Sequence, residues 1–145
     1  MAQNKGPVFI LIGDVTTNNG STMSQTFGAS AAADYTGISA NYVLVYTADA
    51  TNGSYLERLR FKANSTNIAT VARIFFNNGA AQGTATNNAF YGEVSLPATT
   101  ATNTAATVEI DYPVNVFLPP GFRVFVGIAT AVANGWVCMG IGGEY

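Results

Sequence analysis

Two short patterns in this chain place charge at a spacing that chemistry can use. Glu109 and Asp111 flank Ile110, so on a β-strand both carboxylates project from one face. Carboxylates paired in this way would hold a calcium ion or share acid–base work. Arg58, Arg60 and Lys62 alternate in the same manner and put three cations on one strand face. Such a stripe would suit a phosphate, a nucleic-acid backbone or an acidic protein partner. Each pattern also has a plainer reading, as the solvated outer face of a strand or a sheet edge protected by charge.

Other reactive residues lack partners. Cys138 is the only cysteine, so no internal disulfide forms. A nucleophilic thiol wants a neighbouring base, and the chain has no His, the commonest general base and metal ligand. Gly140, Gly142 and Gly143 form a glycine-rich run, but a phosphate cradle needs a helix start after it. Here the run reads as a turn or a close backbone approach. Asp14, Asp34 and Asp49 fall in turn-like sequence, where Asp is expected for backbone hydrogen bonding, and none has the spacing of a calcium loop. Tyr35, Tyr42, Tyr46, Tyr55, Tyr91 and Trp136 are the aromatics that would stack on a sugar, although strand aromatics are more often core or subunit contact. The expectation is no enzyme, no catalytic residue, no cofactor and no metal.

These residues must be positioned by strands. Residues 8–12 are a continuous apolar run between breakers, and 41–46 is rich in β-branched and aromatic residues. Residues 55–63 alternate, with Leu59, Phe61 and Ala63 on one face and the three cations on the other. Residues 70–76 follow, and the turn at 64–67 predicts a hairpin between these two segments. Strands are also expected at 22–27, 91–96, 108–118, 122–129 and 136–141. Pro113 puts the 108–118 strand at an edge or bends it, with Val108, Ile110 and Tyr112 on its buried face. No ten-residue amphipathic helix is visible. Eight or nine short strands with turn signals between them predict an all-β antiparallel sandwich, of jelly-roll type.

Composition narrows the class. The chain has 145 residues, enough for one domain with its own core. Residues 1–7 read as a polar N-terminal arm and 8–145 as a single domain. Hydrophobic residues are 48% and charged residues only 10%, which argues against disorder and for surfaces made of Thr, Asn, Ser, Ala and Gly. Small neutral groups are cheaper to desolvate than Lys or Glu, so such a surface suits subunit contacts. The net charge of −2 marks no nucleic-acid binder. No run approaches a membrane span, and the first apolar run is shorter than a secretory signal needs. The expectation is therefore a protein that matures inside a cell and does not enter a membrane.

The C-terminal quarter adds a resemblance. Its residues are Phe117-Leu118-Pro119-Pro120-Gly121-Phe122-Arg123-Val124, then Ala131 to Val137 with Asn134-Gly135-Trp136, then Gly142-Gly143-Glu144-Tyr145. This resembles the end of small β-sandwich virion proteins of tailed phages, of the capsid decoration or cement type. The resemblance implies a structural particle protein, forming trimers that bind capsid or other virion subunits and assembling in the host cytoplasm. No catalytic residues come with it. The interface residues expected are Arg58, Arg60, Lys62, Pro119, Pro120 and Phe122. The alternative is a carbohydrate- or receptor-binding module of a phage tail or spike, presenting exposed aromatics beside carboxylates.

Overall fold

The computed structural model describes residues 11–12 and 25–144. The arm at 1–7 and Asp14 lie outside them. The described residues form an all-β antiparallel sandwich of nine strands: β1 (Leu11–Ile12), β2 (Gln25–Phe27), β3 (Val43–Thr47), β4 (Ser54–Ala63), β5 (Thr70–Asn77), β6 (Asn88–Leu96), β7 (Glu109–Leu118), β8 (Arg123–Ile128) and β9 (Trp136–Glu144). One sheet runs β1-β9-β4-β7, with β2 also on β9; the other runs β3-β8-β5-β6. Among these residues the only helix is the single turn Ala85–Asn87, and no helix is long and apolar enough to cross a membrane.

Strands β3 to β9 form close to the segments expected as strands, the expected strand residues 8–10 and 22–24 lie outside the described residues, and the inward rows meet between the sheets. Leu56, Leu59 and Phe61 of β4, Ile74 of β5, Val124 and Val126 of β8, and Trp136 and Cys138 of β9 are all fully buried in one core. A bulge between Leu56 and Arg58 breaks strict alternation in β4, so Leu56 and Leu59, three apart, both face inward. Pro113 sits opposite Arg58 at this bulge, on the edge strand β7, the kind of position that tolerates a residue without an N–H. On the side where β6 and β7 face each other, Phe76 stacks on Tyr91 at 4.3 Å and Tyr91 meets Tyr112 edge-on. The Tyr91 hydroxyl donates to the Val114 carbonyl at 3.1 Å, which ties one sheet to the other.

Two expectations are corrected. Residues 55–63 and 70–76 do not form a hairpin, because β4 and β5 lie in different sheets. β4 already pairs with β7 on one side and β9 on the other, so no edge is left for β5. The turn is instead a polar corner around buried Asn67. Its backbone exchanges hydrogen bonds with Thr99, its amide donates to the Gly135 carbonyl at 2.9 Å, and its side-chain oxygen accepts from the Asn134 N–H at 3.0 Å. Val108 is not buried either: it lies just before β7 and is 37% exposed, while Ile110 and Tyr112 are half-buried. The edge position of β7 gives this row sheet cover on one side only.

Trp136→Ala is expected to destabilise the domain by about 3–5 kcal/mol, the usual cost of emptying a buried aromatic site. Urea unfolding checks this, and an unchanged midpoint would contradict the burial.

Candidate functional site

The alternating cations of β4 do project from one outward face. They meet the acids of β7 there. Register places Arg60 opposite Asp111 and Lys62 opposite Glu109. Arg60 grips the Asp111 carboxylate with two donors, Nε at 2.8 Å and Nη2 at 3.1 Å. Glu109 stands 3.8 Å from Arg60 and 4.0 Å from Lys62, and Lys62 also donates to the Thr107 carbonyl at 2.6 Å. Arg58 pairs with Glu57 and lies 3.8 Å from Asp111. The hydrogen bond from Arg60 holds the Asp111 carboxyl below its usual range. Three cations thus face three acids of the same chain, and the formal charges on this face sum to zero. Exposed pairs of this kind are each worth little in stability.

Pro119, Pro120 and Phe122 lie elsewhere. They form the corner that carries the chain from β7 to β8, from one sheet to the other. The Phe122 N–H donates to the Pro119 carbonyl at 3.1 Å, and Gly121 takes a φ of 74° that favours glycine. Pro119 and Pro120 are exposed and Phe122 is half-buried. Ser54, opposite Leu118 beside this corner, is four residues from Arg58, or about 13 Å along a strand. The six expected interface residues therefore fall in two groups, one on the face of β4 and one at the corner.

The remaining reactive groups are spent or buried. Cys138 is fully buried, and desolvation pushes its thiol pKa up. Trp136, Tyr42 and Tyr46 are buried, and Tyr55 and Tyr91 are half-buried. Gly140 serves backbone packing, since a Cβ there would stand 2.8 Å from the Tyr46 ring. Among the described residues no group of three acids, cysteines or histidines stands close enough to hold a metal ion.

A second surface emerges on the outer face of the β3-β8-β5-β6 sheet. Residues 28–42 cross this face as a strap. Gly127 of β8 lets the strap sit close: a Cβ there would meet both the Ala32 methyl and the Tyr42 ring at 2.6 Å. Ala32, Tyr42, Phe75 and Phe125 then form a small second core. The Tyr42 hydroxyl donates to the Asp34 carbonyl at 2.6 Å, with the Ala32 carbonyl as a weaker shared acceptor at 3.1 Å. Burial, with the nearby Asp34 charge, raises this hydroxyl to about 12, so it stays a donor. The Asp34 carboxylate accepts the N–H groups of Thr36, Gly37, Ile38 and Ser39. Burial works against its charge, yet the bonds from Thr36, Ile38 and Gly37 outweigh this and hold its pKa below the usual value.

The strap presents Tyr35, 58% exposed, beside Phe90 of β6. Their rings meet edge-to-face at 5.5 Å. Arg73 of β5 lies beneath, its guanidinium carbon 3.9 Å from the Tyr35 ring centre and its Nε 2.9 Å from Glu93. Sequence reasoning named Tyr35 among six aromatics but did not single it out, and it missed Phe90, Arg73 and Glu93 as a group. These residues are brought together across β5, β6 and a loop, and no local spacing announces that. The signal available was Arg73, a lone cation in an otherwise apolar strand.

The Asp34 turn yields a pH prediction. A depressed folded-state pKa contributes stability that is complete above the ordinary carboxylate range and is lost as pH falls through the depressed value. Hydrogen-exchange protection of amides 36–39 is expected to hold at about pH 5 and to fall towards about pH 2, while Asp34→Asn lacks that dependence. Equal pH profiles for the two proteins would contradict it. Compared with known proteins, the chain matches no family model, no curated protein and no solved structure.

Proposed function

We propose that this chain is a structural virion protein, a decoration or cement subunit that binds the head of a tailed phage through neutral surfaces. The observation that carries the reading is the self-neutralised face of β4 and β7, where Arg58, Arg60 and Lys62 meet Glu57, Glu109 and Asp111. With three cations and three acids on it, that face carries no net charge to steer an anion. Exposed apolar side chains at Ile68, Val108 and Phe117 add separate apolar spots whose burial carries little desolvation cost.

The strand order supports a jelly-roll wind. Successive strands from β2 to β5 and from β6 to β9 alternate between sheets, and only β5 and β6 pair as sequence neighbours within one. Double-sheet jelly rolls occur in viral capsid and lectin domains, an analogy of fold and not of site. On this reading the subunit acts as a homo-oligomer, a trimer, and many weak contacts sum through multivalency on the particle. The corner at Pro119, Pro120 and Phe122 is one docking surface, and the outer face of β4, whose paired charges sum to zero, is another.

The test is to add the purified chain to heads of its own phage that lack it, and to reconstruct the particles by electron microscopy. Occupancy of discrete, symmetry-related positions is expected. Because the contact is neutral, occupancy should change little between about 0.05 and 0.5 M salt, whereas a charge-driven contact would weaken steeply. Bare heads would overturn the assignment, and a steep loss with salt would overturn neutral docking.

A further inference from the structure

We propose that Tyr35, Phe90 and Glu93 form a binding platform for a neutral pyranoside, a site separate from the docking surfaces above and independent of the virion reading. Tyr35 and Phe90 are 58% and 44% exposed. One face of Tyr35 is covered by Arg73, so its exposure belongs to the opposite face and the edge. Phe90 stands almost perpendicular to it, at 83°. That contact sets the edge of one ring on the face of the other, and Phe90 also packs on Phe75 at 5.2 Å; the part of the two rings left exposed is one apolar patch for a single sugar ring, whose axial C–H groups seek an aromatic surface.

Glu93 supplies the polar half. One carboxylate oxygen accepts from Arg73, and the side chain is 37% exposed. An ionised carboxylate has about four acceptor sites, so capacity remains for sugar hydroxyls. A hydroxyl-to-carboxylate bond is charge-assisted and orients the ring. The charges of Arg73 and Glu93 cancel, and that of Asp34 is spent on backbone amides. Nothing here favours an anionic sugar.

The platform is held before any ligand arrives. Arg73 is 8% exposed and is fixed by Glu93 and the Ala33 carbonyl. The strap is pinned by Tyr42, by the Asp34 turn, and by Asn88 and Gln82, whose amides reach carbonyls at Gly37 and Ser39. A side chain already immobilised loses little entropy on binding. Size separates a sugar from a protein partner. The exposed parts of the two rings amount to roughly 200 Å², given what whole aromatic side chains bury. A stable protein interface needs about 800 Å² from each partner.

The experiment is an amide NMR titration of the full chain with cellohexaose, xylohexaose and lactose, with sialyllactose as the anionic comparison. At least one neutral saccharide is expected to shift amides in 33–38 and 88–93, with a dissociation constant of about 1 mM. Tyr35→Ala and Glu93→Gln should each weaken binding by about tenfold or more, while Asn103→Ala, at an exposed loop residue elsewhere, leaves it unchanged. Mapping on the wild-type chain keeps the test valid should a variant unfold. The proposal is overturned if no neutral saccharide shifts these amides at about 10 mM, if sialyllactose alone does, or if Tyr35→Ala binds normally. It is also overturned if the variants only dissociate an oligomer, which would make the patch a contact between copies of the chain.

Discussion

Strand β4 has a hydrogen-bonded partner along each side, β7 on one and β9 on the other. That constraint organises the rest. With both edges filled, the chain leaving Ala63 cannot fold back as a hairpin and must cross to the second sheet. The inward side chains of β4 then need a cover, and β5 and β8 supply it with Ile74, Val124 and Val126. Apolar burial at roughly 25 cal/mol per Å² stabilises this arrangement far more than any single surface contact. The buried Asn67 corner is the polar consequence, because a chain that turns between sheets leaves backbone groups that must find partners off the ladder.

Charge is used sparingly and locally. Arg58, Arg60 and Lys62 answer acids on their own or the adjacent strand, and Arg73 answers Glu93 across β5 and β6. Arg123 reaches the backbone carbonyl of Ala80 at 2.6 Å. In a chain with so few charges this leaves broad surfaces of Thr, Asn, Ala and Gly. Such surfaces have little long-range field, so association depends on shape and apolar area rather than steering. The aromatic platform differs in kind: it is small, rigid, and joins an apolar face to a carboxylate.

The sequence was most legible where one periodicity dominated. Leu59, Phe61 and Ala63 lie inward and the three cations outward, as alternation requires. Pro113 put the 108–118 strand at an edge or at a bend because it cannot donate, and β7 is an edge strand. Legibility failed where pairing was the question. The turn at 64–67 has the composition of a hairpin turn, but local residues do not report that both edges of β4 are occupied from far along the chain. Val108 failed similarly, since its apolar character says nothing of how little cover an edge strand receives. The interface residues split for the same reason: Arg58 and Pro119 are close in apparent purpose but lie on a face and at a corner.

By itself the sequence determined the strand class, the inward row Leu59, Phe61 and Ala63 of β4 and the shortage of charge, because each depends on residue type and spacing over a few positions. It also fixed that Cys138 has no His to activate it, since no fold can supply a residue the chain lacks. Only the tertiary structure decided that Arg60 meets Asp111, fifty-one residues away, and that Tyr35, Arg73, Phe90 and Glu93 share one patch. Such meetings are set by which strands fill which edges. That is a competition among long-range pairings, and its outcome is written in no single segment.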